Sequence, residues 1–360
     1  MTIIIKKLTH FNPLLYMLLM VVSSFAIAQE PEFYGSMDFS LADASTPYAT
    51  KSHKQGTTIE SYATIGIKGG YDISAQRRII YKLSVSLSNP SVENEKSPLK
   101  AHNTYLGIDD PLGTILVGRN NTVFKNSEGN VDVFNGTNAD INNLVAGQSR
   151  TGDSIWYFSP RFGDVLEFSS TYLMTDNNQH DVEHPQAQYA ITSTLGDKNF
   201  RKQNYYFSTA YNKGISNVDA YRGVAQLQIG AFTLGTLFQH TKSLQENENS
   251  RKGNSHFYNL MFCYNRINFK AEYATDTAGL GYYFKNATKN KNHHSNSTDH
   301  NNAFSQIKMK QFTIGADHML MASTQIYGHY VQYKGHYLDA STPVTLKTDN
   351  IFTIGMEHVF

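Results

Sequence analysis

Apolar and polar residues alternate with a period of two in many short segments of this chain. In Ile267–Tyr273, every apolar residue falls on one face of an extended strand and every polar residue falls on the other. The same alternation is found in Leu166–Tyr172, Ala225–Ile229 and Phe312–Asp317. This period indicates β-strands rather than helices. We therefore expect an all-β fold.

Short and long connections alternate between these segments. The short ones are 109–113, 159–163, 229–231 and 265–266, and the long ones are 90–101, 121–149, 175–186, 243–255, 276–305 and 335–348. Tight turns on one side and longer loops on the other are typical of an up-and-down transmembrane β-barrel with antiparallel strands. The pattern gives sixteen candidate strands. A barrel of that size encloses an aqueous channel, whereas eight strands enclose little more than side chains.

The last residues of the chain support a closed barrel. Phe352, Ile354, Met356 and Phe360 share one face of an amphipathic strand that ends on an aromatic residue. A closed barrel pairs its final strand with its first and leaves no edge exposed. A soluble β-sandwich or lipocalin-like barrel is the alternative, but it would bury its apolar faces inward and would not need this terminal strand.

The N-terminus has the order of a secretory signal peptide. Lys6 and Lys7 precede the apolar stretch 14–22, and the small residues Ala26 and Ala28 follow it. This order predicts a signal peptide over residues 1–28, cleaved after Ala28. The apolar stretch is too short to span a bilayer, so an uncleaved anchor is the weaker alternative.

Composition and charge agree with a membrane barrel and exclude some other classes. Hydrophobic residues make up 40% of the chain, yet there are 23 Tyr and 21 Phe, as expected for a thin outer apolar band with aromatic girdles. Of the 31 basic residues, two lie in the signal peptide, which leaves 29 against 30 acidic residues and a net charge of −1. This near-neutral balance does not support nucleic-acid binding.

Cys263 is the only cysteine, so no intrachain disulfide can form, and we expect it to be a wall residue.

One polar segment could bind a metal ion. The tract 285–302 contains His293, His294 and His300 among many asparagines. Imidazole is a good ligand for transition metals, but the spacing matches no known ligand pattern. We expect an external loop here, with no metal site and no cofactor.

Four segments resemble the general (diffusion) porins of Gram-negative bacteria. The run Tyr105–Asn120 resembles the hairpin of their fourth and fifth strands, and Ser154–Pro160 resembles their sixth strand and turn. Asp219–Arg222 and Gly230–Gly235 resemble later strands. Phe360, with Phe352, resembles the assembly signal of outer-membrane barrels, although His358 occupies a position that is usually apolar there. With the signal peptide, the resemblance extends over essentially the whole mature chain, and residues 29–360 would form the barrel.

The resemblance implies a homotrimer in the outer membrane that passes ions and small hydrophilic solutes by diffusion and has no enzymatic activity. Lipid, lipopolysaccharide and the barrel-assembly machinery would be its other partners. The alternatives are a substrate-selective channel, for example for sugars, and a barrel enzyme. Sugar channels tend to have eighteen strands and an aromatic slide, whereas this chain has one Trp. A barrel enzyme needs a Ser–His or Asp–His pair near the membrane rim, and no recognisable motif supplies one.

In this family, the long loop after the fifth strand folds into the lumen and faces a ladder of arginines on the wall. The matching segment is 121–149, and the resemblance implies the following constriction residues. The loop acids are Glu128, Asp132 and Asp140, and the wall bases are Arg119, Arg150, Lys68, Lys82 and Arg222.

Three departures from the family suggest a thinner ladder of wall bases. Ser36 and Thr64 stand where relatives often have a basic residue, and Trp156 occupies a common arginine position. The face of Arg119 depends on whether Gly118 forms a bulge. We expect that neutralising Asp132 and Asp140 together shifts the channel's selectivity toward anions.

Overall fold

The computed structural model describes residues 30–91, 98–174, 187–245, 251–289 and 304–360. The predicted signal peptide and the histidines at 293, 294 and 300 lie outside these residues. The strands are β1 (Glu32–Ala44), β2 (Gly56–Ser74), β3 (Arg77–Ser88), β4 (Leu99–Asp110), β5 (Gly113–Asn121), β6 (Arg150–Phe158), β7 (Leu166–Leu173), β8 (Tyr189–Gly196), β9 (Tyr205–Lys213), β10 (Val218–Ile229), β11 (Phe232–Ser243), β12 (Lys252–Tyr264), β13 (Ile267–Asp276), β14 (Phe304–Met321), β15 (Thr324–Asp339), β16 (Thr342–Thr345) and β17 (Asp349–Val359).

These strands form one antiparallel sheet that closes on itself. From β1 to β15 each strand pairs with the next, β15 then pairs with β17, and β17 pairs with β1. The short β16 pairs only with the end of β15, so sixteen strands close the barrel. The prediction of a sixteen-stranded up-and-down barrel is confirmed, and β16 is an addition within the last loop.

The two faces of each strand meet different surroundings. Phe39 and Leu41 on β1, and Phe352 and Ile354 on β17, are about half exposed on the outer face of the barrel. Between them in sequence, residues such as Thr353 are buried on the lumen side. Lipid covers apolar side chains at no cost, whereas a charge at the bilayer midplane costs roughly 2–4 kcal/mol. The period-two pattern therefore sets which face of each strand meets the lipid.

The chain terminus completes the closure. The Phe360 amide donates to the Gly35 carbonyl at 3.0 Å, and the Gly35 amide donates to the Phe360 carbonyl at 2.8 Å. A Cβ at Gly35 would lie 2.5 Å from the Phe360 ring, so only glycine leaves room for the aromatic side chain. The terminal aromatic residue thus packs directly on the first strand.

The lumen contains its own apolar core, which the loops supply. A one-turn helix, Val123–Asn126, begins the loop after β5, and a second helix, Tyr282–Thr288, follows β13. Ile141 and Leu144 of the long loop are buried with Tyr283 and Phe284 of the second helix. This packing of the loop on the second helix fixes the long loop inside the barrel.

No helix among the described residues is long and apolar enough to cross a membrane.

Candidate pore constriction

The long loop 122–149 is anchored first to β7, β8 and β9. The Val123 amide donates to the Thr171 hydroxyl at 3.0 Å, and the Thr192 hydroxyl donates to the Val123 carbonyl at 3.1 Å. The Ser127 carbonyl then accepts hydrogen bonds from Tyr206 and Ser208 on β9. Thr122 caps the short helix through the Lys125 amide. The loop therefore turns away from β5 and β6 as soon as it begins.

The middle of the loop follows the far wall. On β12, the Asn259 amide group donates to the Val131 carbonyl at 2.5 Å. On β14, the Gln311 amide group donates to the Ala139 carbonyl at 2.9 Å. Side-chain amides on the wall thus satisfy carbonyls that a loop in an apolar setting would leave unpaired.

Asn138 joins the tip of the loop to three strands. Its Nδ2 donates to Glu60 on β2 at 3.0 Å, and its Oδ1 accepts from Thr353 on β17 at 3.0 Å. Its backbone carbonyl accepts from Tyr333 on β15 at 2.8 Å. With the earlier anchors, the loop covers the wall from β7 to β17 and reaches β2. The open part of the lumen therefore runs along β2 to β6.

Arg222 on β10 does not face this open part. It is 2% exposed, its Nη1 donates to the Phe124 carbonyl at 3.1 Å, and its Nη1 lies 3.8 Å from Glu128 Oε2. Nε and Nη2 donate to Gln239 at 2.9 and 2.6 Å. The structure does not place Arg222 on the open side of the lumen, where the sequence predicts a wall base, because the first turn of the loop lies over it. It is an anchor for the loop.

The three loop acids occupy different places. Asp132 is buried, and its carboxylate accepts from the amides of Phe134 and Ile141, both at 3.3 Å. Asp140 accepts from the amides of Gly136 at 2.8 Å and Asn142 at 2.9 Å. Both acids cap turns of the loop. The structure therefore does not bring Asp132 to the open passage, because its carboxylate is turned into the loop.

Burial also changes the acidity of these groups. Removal from water raises the pKa of Asp132 well above its ordinary value, and the nearby carboxylates of Asp140 and Glu272 raise it further. Burial raises the pKa of Glu128 too, although the positive charges of Arg222 and Lys125 oppose that shift. A buried carboxylate without a cation is costly, and this explains why the cationic Arg222 lies beside Glu128.

The predicted wall bases are separated along the open side. Arg150 is half-buried, and its Nε donates to Asn103 on β4 at 2.6 Å. The Lys82 ammonium lies 4.7 Å from the centre of the Tyr34 ring, and the Lys68 ammonium lies 2.9 Å from Glu32. All three residues lie on the β2 to β6 side of the barrel, opposite the wall that the loop covers.

Arg119 lies in a bulge. The pairing of β5 with β6 shifts between Gly118 and Asn120, and Gly118 has a φ of 131°, which favours glycine. The Arg119 Nε donates to the Ala101 carbonyl on β4 at 3.2 Å. Arg119 is not among the residues that line the cavity described next. That it faces the loop acids stays a prediction.

An open cavity of about 1010 Å³ lies between the loop and the wall of β2 to β6. Glu128, Asp140 and Arg150 of the predicted site line it. Its other charged or imidazole-bearing lining residues, which sequence reasoning missed, are Lys51, His53, Lys100, His102, Lys125, Lys198 and Lys289. Among these, only Lys100 and His102 belong to a strand. The others lie in loops or turns, where period-two alternation gives no signal about direction.

A second cavity, of about 220 Å³, lies on the turn side of the loop. It shares four lining residues with the first cavity, namely Tyr62, Asn135, Gly136 and Thr137. The two cavities therefore meet between β2 and the loop tip.

The three sequence departures have structural explanations. The Ser36 and Thr64 hydroxyls are 2.9 Å apart and form a cross-strand hydrogen bond. Trp156 is fully buried, and its Nε1 donates to the Asn121 carbonyl at 2.9 Å, where β5 passes into the loop. Uncharged side chains therefore stand at the three positions where the family often has basic residues. The hydrogen bond from Trp156 also supports the base of the loop, where β5 passes into it.

Comparison with known proteins agrees with this architecture. A family model described as Gram-negative porin matches residues 16–336. An anion-selective porin from Comamonas acidovorans superimposes with a TM-score of 0.65 at 14% identity, covering 93% of this chain and 100% of its own. OmpF from Salmonella typhi, in complex with daunomycin, gives the same values. The trimer form of OmpT, an outer membrane protein of Vibrio cholerae, gives a TM-score of 0.62 at 12% identity, covering 93% of this chain and 99% of its own. A comparison of the sequence with curated proteins gave no significant match.

Proposed function

The chain belongs to the Gram-negative porin family, and we propose that it is a general diffusion porin whose constriction is the passage between loop 122–149 and strands β2 to β6. The observation that carries the proposal is the path of the loop along the opposite wall. It narrows a sixteen-stranded lumen without filling it, and a cavity of about 1010 Å³ remains. Such a passage admits ions and small hydrophilic solutes and excludes larger ones.

We propose further that the active form is a homotrimer in the outer membrane. Large apolar residues such as Leu106, Ile108 and Ile115 are about half exposed on the outer wall, and a wall of this kind can pack against copies of itself around a threefold axis. The trimer form of OmpT from Vibrio cholerae, which has a similar fold, supports this assembly. The signal peptide 1–28, removed after Ala28, would deliver the chain to the periplasm.

The function is that of a channel without catalysis. Purified protein added to planar lipid bilayers is expected to give stepwise, ohmic conductance. The same preparation should run as a trimer on SDS gels until heated. If no conductance is seen at any protein concentration while the barrel runs as a folded species, the channel function is wrong.

A further inference from the structure

Basic residues outnumber acidic ones in the lining of the open cavity. The bases are Lys51, Lys100, Lys125, Arg150, Lys198 and Lys289, and the acids are Glu128 and Asp140. The described lining therefore has an excess of four positive charges. Behind the lining lie the buried Arg222 and three buried acids, Glu60, Asp132 and Glu272, so the excess belongs to the lining alone. The near-neutral composition of the whole chain does not reveal this local imbalance.

The two acids are already engaged by the protein. Glu128 lies 3.8 Å from the guanidinium of Arg222 and accepts a hydrogen bond from Gln148 at 2.6 Å. Asp140 accepts two backbone amides, those of Gly136 and Asn142. Both residues line the cavity, but their carboxylates are already paired with groups of the protein.

Most of the bases lack such an acidic partner. Lys51 lies 3.4 Å from Asp38, which neutralises part of its charge. The Arg150 Nε, in contrast, donates to the neutral side chain of Asn103. Lys100 and Lys125 form no ion pair within the described residues, although the charge of Lys125 also acts on Glu128. Their ammonium groups belong to the cavity lining, where a solute anion can reach them.

From this arrangement we infer that the channel passes small anions in preference to cations of the same size. The inference rests on the proposed channel function and adds the class of solute. Four excess charges about 10 Å from a passing ion, with a Debye length of about 10 Å at 0.1 M salt, correspond to an anion preference on the order of five-fold. Salt screens these charges, so the preference should fall as ionic strength rises.

The test is the reversal potential of the full-length channel in a KCl gradient across a planar bilayer. Its sign should report chloride preference. The triple variant K100Q/K125Q/R150Q should reduce the chloride-to-potassium permeability ratio at least about two-fold, because it removes three of the lining charges. The single variant K125E, at a half-buried position of the loop helix that lines the cavity, provides the same test if the triple variant assembles poorly.

The matched control removes three positive charges from the outside of the barrel. Lys308 and Lys310 on β14 lie on the same face as the lipid-facing Phe312, and Lys334 on β15 pairs directly with Lys310. K308Q/K310Q/K334Q should leave the permeability ratio as in the wild-type channel.

Three outcomes would overturn the inference. A wild-type channel with no preference, or with a preference for potassium, refutes it and leaves the channel function standing. An equal change of the permeability ratio in the lining triple variant and in the control triple variant refutes it too, because the lining charges would then not be the cause of the preference. Absence of any conductance refutes the channel function itself, and the inference with it.

Discussion

Arg222 should be the side chain on which the position of the long loop depends most. It is fully enclosed, and it donates to Phe124 of the loop and to Gln239 of the wall, beside Glu128. The substitution Arg222→Met keeps much of the volume and removes the charge and every donor. Glu128 is then left buried without the guanidinium beside it, and the Phe124 carbonyl keeps only the hydrogen bond from the Ser127 hydroxyl at 2.6 Å.

The magnitude follows from the burial of the pair. Breaking a buried ion pair by removing one partner typically costs 3–5 kcal/mol, and the 3.8 Å separation of this pair places it near the lower limit. We therefore expect R222M to reduce the free energy of unfolding by about 3 kcal/mol. In the double variant E128Q/R222M the orphaned charge is gone, so about 1 kcal/mol or more should be regained.

The chain provides both a probe and a control for this experiment. Trp156 is the only tryptophan and lies at the loop base, so its fluorescence during denaturant unfolding reports on this region. The control is Arg161→Gln, which breaks a partly exposed ion pair with Glu167 at 3.7 Å. An exposed pair contributes about 0–1 kcal/mol, so R161Q should unfold nearly as the wild type does. If R222M and R161Q have equal effects, or if E128Q/R222M is less stable than R222M, the anchoring role is wrong.

Three further predictions concern the loop tip, barrel closure and pH. Asn138→Ala removes the bonds to Glu60 and Thr353, so it should cost about 2–3 kcal/mol and increase open-channel current noise; a quiet channel of wild-type stability would contradict this. Gly35→Val should reduce the yield of the folded, heat-modifiable band, because the new side chain would overlap the Phe360 ring; normal yield would contradict the proposed closure. Because burial raises the pKa of Asp132 in the folded state, the wild type should gain thermal stability relative to D132N as the pH falls through that raised value. This gain in thermal stability should end near pH 3.9, which is about the pKa of an aspartate in the unfolded chain. A gain in thermal stability on raising the pH would contradict the prediction.

The barrel could be predicted from sequence because its causes are local. Alternation in segments such as Ile267–Tyr273 fixes which side chains face lipid, and the terminal Phe360 indicates closure onto the first strand. The register of β1 with β17 confirms that closure. The short β16 was missed, since its four residues carry too little pattern to identify a strand.

The placement of the charged side chains of the site could be predicted only in part, because the direction in which each one points depends on the path of the loop. Strand parity alone points Arg222 into the lumen, and only the tertiary fold shows that the loop covers it. Asp132 and Asp140 look alike in sequence, yet the first is buried within the loop and the second lines the cavity. Lys125 lies in a helical turn of four residues, and strand periodicity has no meaning there.

The proposed function requires that loop 122–149 restricts the lumen from inside the barrel. Its most direct test compares the single-channel conductance of the wild type with that of a variant in which residues 128–146 are replaced by a short Gly-Ser linker. Heat-modifiable mobility on SDS gels must first show that the variant barrel is folded. A clearly larger conductance is expected for the variant, because the loop no longer occupies the lumen. A folded variant with the same conductance as the wild type would show that the loop does not restrict the channel.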